Sequence, residues 1–321
     1  MSGSINPATR IAIVGSGYMG GGIAQVLALS GATVVISDVS AEIAQANFDR
    51  LIAESEAFVT AGLFPEGATE LLRANLSAAS SIEEAVDGAD FIEEAVPEVI
   101  EIKHATLARI GAANSDAIIG SNTSTIRIAR LAEVVAHPAR FLGIHFSNPA
   151  PFIPGVELIP HEGTDLSILP TVEAIVRSTG KQTARVKDAT GFVLNRLQYA
   201  LFSEANQMVE EGVATVQDID TVIRTTLGFR LPFFGPFAIA DMAGLDVYEL
   251  CYRSMQTDFP VRFATPKLLA EKVAAGEFGT KNGTGYLGVP ADRTPALVAY
   301  RNNAYVRMQQ LLTELGPAPL D

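Results

Sequence analysis

The sequence predicts an α/β protein in two parts: a doubly wound parallel sheet, followed by an all-helical domain. Three observations support this fold class. A glycine-rich turn separates a short apolar run from a helical segment within residues 11–29. Strand and helix patterns alternate through the first half, and from residue 192 onward the apolar period becomes 3.6 and strand patterns cease. A chain of 321 residues exceeds one typical domain, so we predict domains at 1–189 and 190–321.

Residues 10–38 carry the order strand, glycine turn, helix, strand and acid. The turn reads GSGYMG at 15–20, and the second strand ends at Asp38. Gly15 permits the tight turn, Gly17 allows a pyrophosphate to approach the backbone, and Gly20 allows the helix to pack closely. The helix N-terminus offers free N–H groups to phosphates. This order predicts a Rossmann-type unit that binds a dinucleotide.

The predicted cofactor is NAD. Asp38 is expected to accept hydrogen bonds from ribose hydroxyls and to repel a 2′-phosphate, and no Arg or Lys lies beside it in the sequence. The alternative is a glycine-rich turn in an ordinary α/β core. The residues placed in the cofactor site from this unit are Gly15, Gly17, Tyr18, Met19, Gly20 and Asp38.

The following segments continue the alternation. Helical spacing covers about 41–73, with a break at 62–65, and further helices are predicted at 82–86, 101–110 and 169–179. Strands are predicted at 76–79, 91–96, 117–120, 141–146, 156–159 and 183–187. Strands that alternate with helices favour a parallel, doubly wound sheet.

The second half has only helical patterns. A long helix is predicted to stop at Gly212, and others are predicted from 216, over 244–255, over 264–275 and over 295–315. The single cysteine, Cys251, excludes an intramolecular disulfide and a cysteine-cluster metal site. Since it stands between Leu250 and Tyr252, we expect a buried core thiol.

Composition argues against some classes of binding partner and against a membrane location. The net charge of −13 makes nucleic acid and anionic membrane surfaces poor partners. The sequence contains no apolar run of about 18 residues, so no membrane span is expected. Residues 1–9 lack the features of a signal or transit peptide, and a cytoplasmic location is expected.

Four polar residues lie at the ends of predicted elements: Ser124, His145, Glu157 and Asn195. Ligands of open α/β sheets bind beyond the carboxyl ends of strands, where Ser124 and His145 are expected. Histidine can take and return an alcohol proton near neutrality, and a neighbouring carboxylate would orient its ring. Each residue taken singly also fits a structural role, such as a helix cap for Ser124. No histidine or acidic spacing suggests a metal site.

Six motifs then occur in a fixed order: SNTS, GIHFSNPAP, VELI, GFVLNR, GPF-x₃-D-x₂-GLD and GTKNGTGY. With these motifs the chain resembles the 3-hydroxyacyl-CoA dehydrogenase family, which includes relatives that act on free hydroxy acids. The resemblance implies NAD-dependent interconversion of a 3-hydroxy substrate and its 3-oxo product, and a homodimer formed through the C-terminal domain.

The same resemblance assigns roles to individual residues. It implies that His145 is the general base, that Glu157 orients it, and that Ser124 and Asn195 hold the substrate's oxygens. It also assigns three residues to the nicotinamide half of the cofactor: Glu98 and Lys103 on the ribose side, and Asn122 at the ring.

Two features differ from relatives that use coenzyme A. Residues 42–73 carry six acids, two arginines and no lysine where CoA phosphates dock in those relatives, so phosphates would be repelled. Residues 151–155, PFIPG, replace the Met-Lys-Leu-type sequence usual there. The substrate stays open between a 3-hydroxyacyl-CoA and a small free hydroxy acid such as gulonate, carnitine or a pyridine carboxylate. A catalytically silent NAD-binding protein and an imine-reducing enzyme are further alternatives.

Overall fold

The structure is a computed structural model that describes residues 9–316 and residue 318. The prediction about a leader at residues 1–9 therefore falls almost wholly outside the described residues. The chain divides into two compact units, Met1–Phe202 and Ser203–Asp321, which we call the sheet unit and the helical unit. The predicted domain boundary at 189/190 stays a prediction.

The sheet unit is built on eight hydrogen-bonded strands in the order β3-β2-β1-β4-β5-β6-β7-β8. From β1 the chain first adds strands on one side (β2, β3) and then on the other (β4 onward), so the direction of strand addition reverses at the β1–β4 boundary, as in doubly wound folds. The strands are β1 (Arg10–Val14), β2 (Thr33–Ser37), β3 (Leu76–Ala78), β4 (Phe91–Glu94), β5 (Ile118–Ser121), β6 (Phe141–Phe146), β7 (Gly155–Pro160) and β8 (Gln182–Arg185).

Helices cover both faces of the sheet, and each face has its own apolar core. One core joins the sheet to α1 (Tyr18–Leu29), α2 (Ala41–Thr60), α3 (Ala68–Asn75) and α7 (Leu169–Ser178). The other joins it to α4 (Ile82–Val86), α5 (Ile100–Ala113) and α6 (Ile128–Ala132). Because both faces of the central strands are buried, β1, β2 and β6 read as nearly continuous apolar runs, which is why the sequence revealed them.

The predicted fold class is confirmed, with one difference in strand direction. Six of the seven strand pairings are parallel, but β7 runs antiparallel to β6. Only residues 147–154 connect these two strands, and a parallel crossover needs a dozen residues or more. The antiparallel register places Glu157 opposite His145.

Over its described residues, the helical unit contains the end of α8 and six further helices. They are α8 (Leu194–Glu210), α9 (Val216–Thr225), α10 (Leu227–Arg230), α11 (Pro236–Ala243), α12 (Leu245–Met255), α13 (Lys267–Ala274) and α14 (Thr294–Leu315). The sequence interpretation missed the short α10 and α11. Pro236 at the start of α11 is a favoured first helical residue, a signal that the interpretation did not use.

The expectation of a buried Cys251 is wrong, because this residue is exposed. The core-facing stripe of α12 consists of Leu245, Tyr248 and Tyr252, which pack in the cluster that also contains Leu269. Cys251 lies beside that stripe rather than on it. Apolar neighbours in the sequence do not place a helical residue on the buried face, since adjacent residues point about 100° apart.

Across residues 9–316 and 318, no helix combines the length and apolar character needed to cross a bilayer. In the same part of the chain, no three His, Cys, Asp or Glu side chains group as metal ligands would.

Candidate active site

The glycine turn after β1 makes room for a ligand that runs along the backbone. Gly15 has a φ of +95°, and a Cβ there would lie 2.7 Å from the backbone of Ala95. A Cβ on Gly20 would overlap the carbonyl oxygen of Gly15, so the helix can approach the turn only without a side chain. Gly17 faces open space. These are the conditions that a pyrophosphate at a helix N-terminus requires.

Asp38 at the end of β2 is tied to this turn. Its Oδ2 accepts hydrogen bonds from the N–H and the hydroxyl of Ser16 at 2.8 and 2.7 Å. The amide of Asn47 in turn donates to the Ser16 hydroxyl at 2.9 Å. The sequence interpretation assigned Asp38 to ribose and missed Ser16, because nothing in the local pattern indicates a bond across 22 residues.

A cavity of about 550 Å³ lies beyond the carboxyl ends of β1, β2, β4 and β5. Its volume is within the usual range for small-molecule and cofactor sites. The cradle at the glycine turn and the extended cavity together fit a bound dinucleotide. The lining includes eight of the predicted site residues: Gly15, Gly17, Tyr18, Met19, Asp38, Glu98, Asn122 and Ser124.

Glu98 holds the loop after β5. Its Oε1 accepts from the hydroxyl of Thr123 at 2.8 Å, the N–H of Ser124 at 2.9 Å, and the N–H and hydroxyl of Thr125 at 2.8 and 3.0 Å. Burial alone would raise the pKa of Glu98. The bonds from Thr123, Thr125 and Ser124 and the charge of Lys103 outweigh it and lower that pKa. The carboxylate is therefore held as the anion.

Lys103 lies behind the cavity lining rather than in it. Its ammonium is fully buried and donates to Glu94 Oε1 at 2.9 Å, to Glu94 Oε2 at 3.2 Å and to the carbonyl of Val96 at 3.2 Å. Glu98 Oε2 lies 3.6 Å from it. The sequence interpretation missed Glu94, although a glutamate within the buried run FIEEAV needs a partner.

The neighbouring Glu93 is also fully buried, on the opposite face of β4, and neither of its carboxylate oxygens has a hydrogen-bond partner among the described residues. Burial raises the pKa of Glu93 well above its usual range, and the charge of Glu94 adds to the rise, against a smaller opposing effect of Lys103. The environment of Glu93 thus favours its neutral form, and nothing in the sequence pattern had indicated this.

Hydrogen bonds at the end of β5 involve Asn122, Ser124 and Asn195. Asn122 Oδ1 accepts from the N–H of Phe146 at 2.8 Å, which ties the ends of β5 and β6 together. Asn195 lies in the first turn of α8, and its amide donates to the carbonyl of Ser124 at 2.8 Å. The start of α8 is thereby joined to the loop that lines the cavity.

His145 and Glu157 form a buried pair across β6 and β7. The Nδ1–H of His145 donates to Glu157 Oε2 at 2.8 Å. The other oxygen, Oε1, accepts from the backbone N–H of Val193 at 2.9 Å and of Leu194 at 3.1 Å. Because an ionised carboxylate only accepts, Nδ1 carries the proton of this bond, and Nε2 has no partner among the described residues.

The backbone before α8 has a special conformation that delivers these N–H groups. Gly191 and Phe192 have φ values of +75° and +48°, and Phe192 is buried with its ring 5.7 Å from that of His145. A positive φ is uncommon for a bulky residue and stores strain that the surrounding packing must hold. Sequence reasoning had no signal for this conformation beyond the glycine.

The electrostatics of Glu157 match its contacts. Burial would raise the pKa of Glu157, but the hydrogen bonds from His145, Val193 and Leu194 and the charge of His145 outweigh burial and lower it. Glu157 thus holds one ring nitrogen of His145 and leaves the other in position to exchange a proton with a ligand. The arrangement is chemically suited to general acid–base work.

Comparison with known proteins identifies the family. The model of the 3-hydroxyacyl-CoA dehydrogenase NAD binding domain matches residues 10–189, and that of the C-terminal domain of the same enzymes matches 191–288. The chain belongs to the 3-hydroxyacyl-CoA dehydrogenase family. As a member, it is an oxidoreductase that uses NAD, as the sequence predicted.

Relatives of two kinds are similar to the chain over most of their length. It is 36% identical over 306 residues to the 5-formyl-3-hydroxy-2-methylpyridine 4-carboxylate 5-dehydrogenase of Mesorhizobium japonicum, covering 94% of this chain and 98% of that protein. It is 33% identical over 281 residues to a 3-hydroxybutyryl-CoA dehydrogenase of Mycobacterium tuberculosis, covering 86% and 97%.

A solved 3-hydroxyacyl-CoA dehydrogenase from Archaeoglobus fulgidus has a TM-score of 0.79 at 31% identity and covers 96% of this chain and 99% of that one.

Proposed function

We propose that the protein oxidises a secondary alcohol or hydrated aldehyde of a small free carboxylic acid, with His145 as general base. The observation that carries the chemistry is the buried His145–Glu157 pair, whose 2.8 Å bond leaves one imidazole nitrogen as an acceptor. When bound, the nicotinamide of NAD takes the hydride. His145 removes the hydroxyl proton, and the anionic Glu157 stabilises the resulting imidazolium.

The remaining site residues receive supporting roles. Ser124 and Asn195, which are connected at 2.8 Å, would position the oxygens of the substrate. Asp38 would hold the adenosine ribose through the lone pairs that Ser16 leaves open, while Glu98 and Asn122 line the nicotinamide half of the cavity. We propose that Lys103 acts through Glu94 and Glu98 rather than by touching the cofactor, since it is fully buried.

The acidic surface of α2 and α3 supports a free acid over a CoA thioester. The region has no lysine, and both of its arginines already have carboxylate partners: Arg50 bonds Glu54 at 2.7 Å and Arg73 bonds Glu56 at 2.9 Å. Each phosphate would have to displace a carboxylate or accept its repulsion. The similarity to the pyridine carboxylate dehydrogenase, 36% over nearly the whole chain, points the same way.

A 3-hydroxyacyl-CoA is the second candidate, because relatives named 3-hydroxybutyryl-CoA dehydrogenase are 33% identical over 86% of the chain. In this alternative His145 has the same role, and the substrate carries a CoA thioester in place of a free carboxylate.

The deciding experiment compares the two substrate classes on the same protein. NADH absorbance is followed with NAD and either free hydroxy acids, including pyridine carboxylates, or 3-hydroxybutyryl-CoA. In parallel, unfolding with NADH is measured with and without CoA. We expect turnover of a free acid and no stabilisation by CoA. If CoA at ~100 times its Kd raised the free energy of unfolding by about 2.7 kcal/mol, the result would instead support the thioester. No turnover on either panel, with NADH still bound, would favour a silent NAD-binding protein.

We also propose that the protein is a homodimer formed through its C-terminal helices and works in the cytoplasm. Exposed apolar side chains on these helices support the dimer, among them Leu197 on α8 at 58% exposure and Leu250 on α12 at 67%. Light scattering after size exclusion tests it, and a monomer at micromolar concentration would refute it.

A further inference from the structure

A second cavity lies within the helical unit, apart from the residues to which the proposed reaction assigns a role. Its volume is about 280 Å³, and side chains of α10, α11 and α14 line it. This is close to the lower limit of known small-molecule sites, so only a small ligand would fit. Two arginines, Arg230 and Arg301, line it together with the amide of Asn302.

The two arginines differ from the other cationic side chains of the unit. Among its described residues, five cationic side chains have a carboxylate within 4.0 Å: Arg253, Arg262, Lys267, Lys272 and Lys281. The cationic side chains without a carboxylate within 4.0 Å fall into two groups according to their exposure to solvent. Arg224, Arg293 and Arg307 are exposed to solvent, whereas Arg230 and Arg301 are partly buried.

Partly buried guanidinium groups without an anion lose hydration and regain little of it. In a chain of net charge −13 that has 36 acids, carboxylates are abundant, yet none of the described ones neutralises this pair. That both members line a single cavity indicates that the counter-ion comes from outside the chain.

The arginines are held in place by neutral groups. Arg301 donates through Nε and Nη2 to Asn302 Oδ1 at 3.1 and 2.9 Å, and Arg230 donates through Nε to the carbonyl of Thr226 at 3.3 Å. Within the described part of the chain, both Nη groups of Arg230 and Nη1 of Arg301 have no hydrogen-bond acceptor. Guanidinium N–H groups in a fixed orientation suit the planar carboxylate.

The rest of the cavity wall is apolar. Phe234 and Ile239 are buried and Met242 is partly buried beside the arginines. The ring of Tyr305, also in the lining, packs 6.4 Å from that of Phe234. A fully hydrated inorganic anion gains nothing from such walls, whereas an apolar body attached to a carboxylate does.

We propose that this cavity is a binding site for a small organic carboxylate with an apolar body, held by Arg230 and Arg301. The site is formed by residues of the helical unit, so it holds whether or not the proposed reaction is correct.

Benzoate is the probe, and benzamide, which has the same shape without the charge, is its matched control. The whole chain, saturated with NADH, is titrated calorimetrically with each. Arg230→Gln and Arg301→Gln are compared with Arg307→Gln. Arg307 lies on the same helix as Arg301 and likewise bonds an asparagine, Asn303 one turn earlier, at 3.1 Å, but it does not line the cavity.

We expect benzoate to bind, benzamide to bind at least tenfold more weakly, and each cavity variant to weaken benzoate at least tenfold. Arg307→Gln should stay within twofold of wild type. Because a cavity variant can misfold, the wild-type chain is also modified with phenylglyoxal and mapped by mass spectrometry. Benzoate should protect Arg230 and Arg301 and leave Arg307 reactive.

Three results would overturn the proposal. Equal losses in all three variants would mean a general charge effect. Inorganic phosphate binding as tightly as benzoate would remove the carboxylate class. A change of oligomeric state in the cavity variants, with benzoate affinity unchanged, would make the arginines part of an interface instead.

Discussion

Among its described residues, the sheet unit contains two buried pairs of a nitrogen-bearing side chain and a carboxylate, which differ in one respect. His145 bonds Glu157 at 2.8 Å, and Lys103 bonds Glu94 at 2.9 Å. The three bonds of the Lys103 ammonium account for all its protons, and Glu94 Oε2 also accepts from the Ser121 hydroxyl at 2.5 Å. In contrast, His145 uses one ring nitrogen on Glu157, and the described residues offer no partner to the other.

This difference separates a structural pair from a reactive one. A saturated pair can hold a loop but has no proton to exchange, while a pair with one vacant nitrogen can exchange a proton with a substrate. Glu93, next to Glu94 on β4, gives a third case, a buried acid for which the described part of the chain supplies no hydrogen-bond partner.

The first prediction concerns removal of the proposed general base, His145. His145→Ala should lower kcat by about 10² to 10⁴-fold, since this is the usual contribution of general acid–base catalysis. The Kd of NADH, measured by fluorescence, should stay within twofold. His104→Ala is the control, because His104 lies on α5 and bonds the carbonyl of Arg130 at 2.9 Å. Full activity of His145→Ala on the accepted substrate would refute the proposed mechanism.

The second prediction concerns removal of Lys103, the cation of the fully hydrogen-bonded Lys103–Glu94 pair. Lys103→Met should reduce the free energy of unfolding by roughly 3–5 kcal/mol, because Glu94 is then buried without a counter-charge. Denaturant titration measures the loss. The double variant Glu94→Gln/Lys103→Met should recover much of it, since no charge is left unpaired. If the double variant is no more stable than the single one, the pair is not the cause.

The third prediction concerns pH and Glu93. Because the pKa of Glu93 is raised in the folded state, the contribution of Glu93 to stability is largest below its unfolded pKa, about 4.3. Stability is then lost as pH rises toward the folded pKa, by at most about 1.4 kcal/mol per pH unit.

Glu93→Gln, which is neutral at every pH, should remove this loss. Denaturant titrations between pH 4.5 and 8 should therefore show wild type falling more steeply than Glu93→Gln. Glu70→Gln, on the exposed side of α3, should follow the wild-type slope. Parallel curves for wild type and Glu93→Gln would contradict the neutral, buried state.

The smallest effect is expected at an exposed pair. Arg73 and Glu56 bond at 2.9 Å, but their side chains are 56% and 58% exposed. Arg73→Ala should change the free energy of unfolding by less than about 1 kcal/mol, because solvent screens surface ion pairs. A loss as large as that of Lys103→Met would show that burial does not explain the difference between the pairs.

Much of the fold was predictable, because its signals are local. The glycine turn at 15–20, the apolar strands and the helical periods each occupy fewer than about 25 residues, and the structure contains the predicted strands within a few residues of their expected ends. The short α10 and α11 were missed, since four- and eight-residue helices barely establish a period.

The candidate site was predictable only in part. Motif order pointed to Ser124, His145, Glu157 and Asn195, and the structure brings His145 to Glu157 and Asn195 to Ser124; their catalytic roles stay predictions. The anchoring bonds that Glu157 receives from Val193 and Leu194 have no sequence signal, since they depend on the positive φ of Phe192.

By itself, then, the sequence determined the order of elements, the Rossmann-type turn, the family and NAD, because turn chemistry and apolar period act over short stretches of chain. Tertiary structure alone decided strand direction at β7, the exposure of Cys251, and why Glu94 is paired while Glu93 is not. These outcomes depend on which face of an element is buried and on what distant residue it meets there. Adjacent glutamates on a strand point to opposite faces, so Glu94 meets Lys103 while Glu93 meets no partner.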